Sequence, residues 1–133
     1  QRLSQLSSAK EKMFVFFEAK TESTWIDDYG YLTDLKLQLL ITDANLSFCN
    51  MSFCNEKLDS NKQDGKRHCV NRELRIRRFE TKIKPEEKLH METMLLSEEP
   101  LDENRNSIRL AHNLYRSIDQ TLMATAECDL SWH

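Results

Sequence analysis

Glycine and proline each occur only twice in the 133 residues. Tight turns draw on both: glycine because it tolerates positive φ, proline because its φ is already fixed. An all-β fold needs many such turns, so their scarcity predicts an all-α fold. The remaining composition is that of a chain able to bury a core. Hydrophobic residues make up 39%, charged residues 31%, and the net charge is −3, which is too apolar for a fully disordered chain. The length suits one domain, expected as a single helical interaction domain over 1–133. The chain begins at Gln1 rather than Met, and it is read as a fragment of a larger intracellular protein.

The apolar spacing supports helices. Leu3, Leu6, Ala9, Met13, Phe16 and Phe17 fall on one helical face over 3–20. Within it "MFVFFEA" also suits a buried strand, so 13–19 stays open between the two. "TEST" at 21–24 supplies cap residues, and Asp27 and Asp28 would then lie in a first helical turn, where the dipole favours carboxylates. From there Leu32, Leu35, Leu39, Thr42, Leu46, Cys49 and Phe53 recur at alternating steps of three and four. That is a heptad seam, and it predicts a long helix over about 24–58. A polar loop follows at 59–68. Residues 69–83 read as a helix, although Leu74 and Ile76 also alternate as in a strand, which leaves 74–83 open. Pro85 followed by Glu86 and Glu87 predicts a helix start running to about Leu96. A last long helix over about 101–130 carries the seam Leu101, Asn104, Ile108, Ala111, Tyr115, Ile118, Leu122 and Thr125. The expectation is an elongated, coiled-coil-like bundle of two long helices with shorter ones between.

Catalytic and metal-binding patterns are sparse. Cys49 and Cys54 are five residues apart, about 140° around a helix, and so do not converge on zinc with His68 and Cys69. The thiols read as free and mostly buried. Asn45-Leu-Ser and Asn50-Met-Ser are formal glycosylation acceptors, but the buried seam leaves little room for a glycan. Glu87-Lys-Leu-His90 lacks the second such element that a di-iron bundle requires. Two glycines, Gly30 and Gly65, cannot form a glycine-rich phosphate loop. The longest apolar run is Met13-Phe14-Val15-Phe16-Phe17, short of the roughly 20 residues that span a bilayer. Between Lys62 and Lys84 nine basic residues face only three acidic ones.

These readings imply no enzyme, no metal and no cofactor. They imply a scaffold or adaptor module that binds a protein partner or a second copy of itself through helix faces. Candidate interface residues are Leu32, Leu35, Leu39, Ile108, Tyr115 and Ile118, with Thr42 and Asn104 as polar positions that fix register. The alternatives are nucleic-acid or anionic-surface binding through Arg72, Arg75, Arg77 and Arg78, and a secreted cytokine-like bundle with disulfides.

Overall fold

A computed structural model describes residues 14–50, 69–102 and 105–132, with side chains for 18–50, 70–101 and 106–131. Among the described residues five strands and one α-helix, besides a single 3-10 turn at Ser23–Trp25, follow in the order β1 (Phe14–Lys20), α1 (Asp34–Cys49), β2 (Cys69–Arg78), β3 (Lys88–Asp102), β4 (Arg105–Arg116) and β5 (Thr121–Trp132). The strands form one antiparallel sheet in the order β1-β3-β4-β5-β2, and α1 packs across one face of it. This overturns the all-α expectation. Residues 14–20, 69–78 and 88–102 are strands, and the long helix expected over 101–130 is the β4–β5 hairpin. Of the helix expected over 24–58, Asp34–Cys49 is helical. The first part of the 3–20 helix, Phe53 and the 59–68 loop lie outside the described residues.

Period-two alternation builds the sheet. Leu89, Met91 and Thr93 of β3, Ile108, Leu110, His112 and Leu114 of β4, and Ala124, Ala126, Cys128 and Leu130 of β5 are all buried. Alternate residues of a strand share one face, and these form the face beneath α1. The register is continuous across the middle of the sheet, with Leu110 paired to both Leu95 and Cys128. The helix meets that broad surface with an equally broad face, Leu37, Leu40, Ile41, Ala44, Asn45 and Phe48, at helical i, i+3 and i+4 spacings. Most of the expected seam lies on the other side. Leu35, Leu39 and Leu46 are exposed, Leu35 to 69%.

Two turns place another residue where glycine is usual. Gln120 in the β4–β5 turn and Glu86 in the loop before β3 both have positive φ, 61° and 75°. Non-glycine residues rarely occupy that region, which is why a count of glycines underestimates the turns here. Cys49 is disulfide-bonded, correcting the reading of its thiol as free, whereas Cys128 is a free, buried thiol.

Candidate active site

The segment between β1 and α1 is a short hairpin. Asp27 N–H donates to the Tyr31 carbonyl at 2.7 Å and Thr33 N–H to the Trp25 carbonyl at 2.8 Å, with Ile26 bridged to Leu32. Gly30 turns the corner at φ 93°. The space beside it is open enough for a methyl group, whose nearest neighbour would be Lys82 at 3.6 Å. Glycine is therefore needed here for its backbone angle.

Asp27 faces into this turn. Its Oδ1 accepts from Tyr29 N–H and Tyr31 N–H, both at 2.9 Å. Oδ2 makes no hydrogen bond to a described residue. The Tyr31 N–H, with further help from Tyr29, Gly30 and the positive charge of Arg78, holds this carboxyl below its ordinary value. Asp27 is thus an exposed, ionised carboxylate with one oxygen fixed and the other available.

The hairpin delivers the chain into α1. Thr33 is the cap, with Oγ1 accepting from Lys36 N–H at 3.2 Å and its carbonyl accepting from Leu37 N–H at 3.0 Å. The N–H groups of Asp34 and Leu35 have no acceptor among the described residues. They are the orphan donors of a helix start, carrying its partial positive charge. Arg78, the last residue of β2, reaches across to the Leu32 carbonyl and the Asp34 carboxylate.

Contacts from the neighbouring loops fix the hairpin. Ile83 N–H donates to the Gly30 carbonyl at 2.9 Å, and Arg116 Nη1 donates to the Lys82 carbonyl at 2.8 Å. Arg116 also pairs with Asp119 at 2.6 Å, which holds the Asp119 carboxyl far below the usual range. Thr21 Oγ1 donates to the Lys84 carbonyl at 2.6 Å. The hairpin, the loop between β2 and β3, and the β4–β5 turn therefore meet at one end of the sheet. Lys36 Nζ lies 4.2 Å from the centre of the Trp25 ring and Lys82 Nζ 5.9 Å from that of Tyr31, giving this end a rim of cations over aromatic rings.

The residues expected from sequence are scattered. Leu32 and Ile108 are core residues, Leu35 and Leu39 are exposed on α1, and Ile118 is exposed in the β4–β5 turn. Tyr115 is stacked on His90, ring centres 5.0 Å apart, on the face away from the helix. The four arginines of β2 have different surroundings. Arg75 is paired in register with Glu127, Arg77 lies 5.2 Å from the Phe79 ring centre, Arg72 is exposed, and Arg78 serves the α1 cap. A shallow surface depression on β2, β4 and β5 is lined by Glu73, Arg75, Arg109, Glu127, Cys128 and Asp129. Its lining carries three carboxylates and two guanidinium groups, and Arg109 pairs with Glu127 at 3.7 Å. No group able to hold a metal ion occurs among the described residues, and no described helix is long and apolar enough to cross a membrane.

The fold has close counterparts among solved structures. A dynemicin thioesterase superposes with a TM-score of 0.67 at 11% identity, covering 90% of this chain and 80% of its own. A probable thioesterase from Bartonella henselae gives 0.65 at 15%, covering 88% of this chain and 89% of its own. A 1,4-dihydroxy-2-naphthoyl-CoA thioesterase from Synechocystis gives 0.64 at 13%, covering 90% and 81%. Identities this low establish the fold, a hotdog, in which a curved antiparallel sheet wraps one central helix. No family model matches the chain, and no curated protein matches it by sequence. The helical scaffold and the cytokine-like bundle were read onto a helical bundle, and they fall with it; the nucleic-acid reading rested on the charge of the basic segment 62–84. The expectation of a non-enzyme rested on missing motifs. It is overturned by a fold whose solved counterparts are named thioesterases.

Proposed function

We propose that the chain hydrolyses acyl thioesters at the hairpin before α1. The observation that carries this reading is Asp27, a carboxylate with one oxygen free of hydrogen bonds to described residues, on the hairpin that leads into a helix start with two N–H groups unsatisfied among the described residues. The thioester carbonyl oxygen accepts from the Asp34 and Leu35 N–H groups, which strengthen their hold as the oxygen becomes an anion. Asp27 Oδ2 orients a water and takes its proton as the water oxygen bonds to the carbonyl carbon. Collapse of the tetrahedral species breaks the C–S bond, and the proton passes from Asp27 to the departing thiolate. The products are a carboxylic acid and a thiol.

The test is thiol release from acetyl-, octanoyl-, palmitoyl- and benzoyl-coenzyme A, measured with a chromogenic disulfide. Asp27→Asn keeps an acceptor for Tyr29 and Tyr31 but cannot take a proton. It is expected to lower kcat by about 100-fold or more, with KM and thermal stability little changed. Release unaffected by the substitution would remove Asp27 from the chemistry. Release from none of the four esters would remove the activity.

A further inference from the structure

Arg78 is the last residue of β2, and its backbone is well anchored. It is in register with Ala124, and the next residue, Phe79, donates its N–H to the Met123 carbonyl at 2.9 Å. From this base the guanidinium spans the α1 cap, Nη2 donating to the Leu32 carbonyl and Nη1 to Asp34 Oδ1. Leu32 and Asp34 are the two neighbours of the cap residue Thr33.

Two physical consequences follow from this bracket. First, the directions of the Asp34 and Leu35 N–H groups depend on the backbone between residues 32 and 35, which Arg78 holds at one end. Second, Asp34 places a carboxylate at the first helical position. Such a charge stabilises a helix start in isolation, but it opposes an anion forming on the same N–H groups. A planar guanidinium hydrogen-bonded to that carboxylate offsets the opposition. The Arg78 side chain is 34% exposed and that of Asp34 78%. An ion pair so open to solvent contributes little to stability, so its effect on the fold alone is small.

We propose that Arg78 is a positioning residue for this site: it keeps the Asp34 and Leu35 N–H groups aimed at an incoming carbonyl oxygen and draws the Asp34 charge away from the oxyanion. This rests on the thioester reading for its consequence in rate, but not for its geometry. Among the four arginines of β2, Arg78 is the one whose side chain hydrogen-bonds the α1 cap among the described residues.

The experiment compares Arg78→Met, Arg78→Lys, Asp34→Asn and the double variant Arg78→Met/Asp34→Asn with the parent chain. Two readouts are taken: thiol release from the four coenzyme A esters, and a substrate-free NMR titration of the Asp27 carboxyl. Arg78→Met is expected to lower kcat by about tenfold or more with KM changed much less, and with thermal stability close to the parent's. Arg78→Lys falls between, because an ammonium cannot hold both acceptors in one plane. Adding Asp34→Asn to Arg78→Met restores part of the lost kcat, since the unpaired carboxylate has gone; the two substitutions are coupled, not additive. In the titration, Asp27 moves upward in Arg78→Met because a nearby positive charge is lost. An unchanged kcat in Arg78→Met would overturn the proposal. So would a loss that follows falling stability and is not relieved by Asp34→Asn, which is what a purely structural arginine gives. If the parent chain releases no thiol, the hydrolase reading fails and the titration decides alone: an upward shift upholds the placement of Arg78, and no shift overturns it.

Discussion

An imidazole buried to 1% exposure is held neutral or charged by what surrounds it, and His112 is held neutral. Its Nε2 lies 2.7 Å from Asn45 Oδ1, an acceptor, so Nε2 carries the proton and donates. Nδ1, 2.8 Å from Thr93 Oγ1, then accepts from the hydroxyl. Asn45 Nδ2 donates onward to Cys128 Sγ at 3.5 Å. The network joins α1, β3, β4 and β5 and leaves no carboxylate against the ring. Burial pushes His112 down from 6.5 to about 4. The unfolded chain binds this proton near 6.5 and the folded chain only near 4, so stability falls as pH drops through that window. The loss approaches roughly 3 kcal/mol once pH is below both values. Urea unfolding at pH 7 and pH 5 is expected to show a smaller midpoint at pH 5, and His112→Gln to remove most of that difference. An equal pH dependence in the variant would place the acid sensitivity elsewhere. Asp27, by contrast, stays ionised to below the ordinary 3.8. The acid limb of any activity will therefore follow unfolding before it follows the carboxylate. Asp27 was visible in the sequence as an acidic residue near a helix start, but the start was placed at "TEST" instead of Thr33. That shift of about ten residues moved Asp27 from a turn into a helix and hid its role. Arg78 was singled out for its charge. Its reach to the α1 cap depends on a contact 44 residues away in sequence, and no local pattern announces it.

At the level of elements, a helix somewhere within 24–58 was legible, but its start at Thr33 and its buried face were not, and neither was the sheet. The helix carries its own signals: a cap, an acidic first turn and apolar residues at helical spacing. The strands carry theirs more weakly. Ile108, Leu110, His112 and Leu114 alternate in β4, and Ala124, Ala126, Cys128 and Leu130 in β5, but histidine, alanine and cysteine are poor markers of a buried face. The larger side chains happen to recur at steps of three and four, so the helical period was favoured over the true period of two. Long strands with few glycines were accepted as helix for the same reason. The turns were misjudged because Glu86 and Gln120 take backbone angles normally left to glycine. Gly30 is where glycine itself is required, at φ 93° with its carbonyl held by Ile83 N–H. Gly30→Ala is expected to cost roughly 1–2 kcal/mol from the backbone angle alone, read as a lowered urea midpoint with unchanged slope. Because the hairpin carries Asp27, kcat should fall with it. An alanine variant as stable as the parent would mean that the turn reaches another conformation without loss.

For the whole molecule, the sheet order leaves β1 and β2 at its two edges. An edge strand presents unpaired backbone donors and acceptors, and a second copy of the same strand can satisfy them. Self-association was expected from sequence through helix faces; the fold moves that proposal to the β2 edge. The strand carries four arginines and one glutamate over Cys69–Arg78. Two copies laid antiparallel bring like charges close together, which opposes pairing. Half-exposed Val70, together with Leu74 and Ile76 at the margin of the core, favours it. The charge repulsion is screened by salt, whereas backbone pairing and apolar contact are not. Sedimentation should therefore show more dimer at about 1 M than at about 10 mM sodium chloride, since the screening length shortens roughly tenfold between them. Arg75→Glu lowers the repulsion directly and should raise the dimer fraction at low salt towards the high-salt value. A dimer that weakens with salt and ignores Arg75→Glu would have to be held by opposite charges on another surface, and the β2 edge would then be protected by its arginines instead of joined through them.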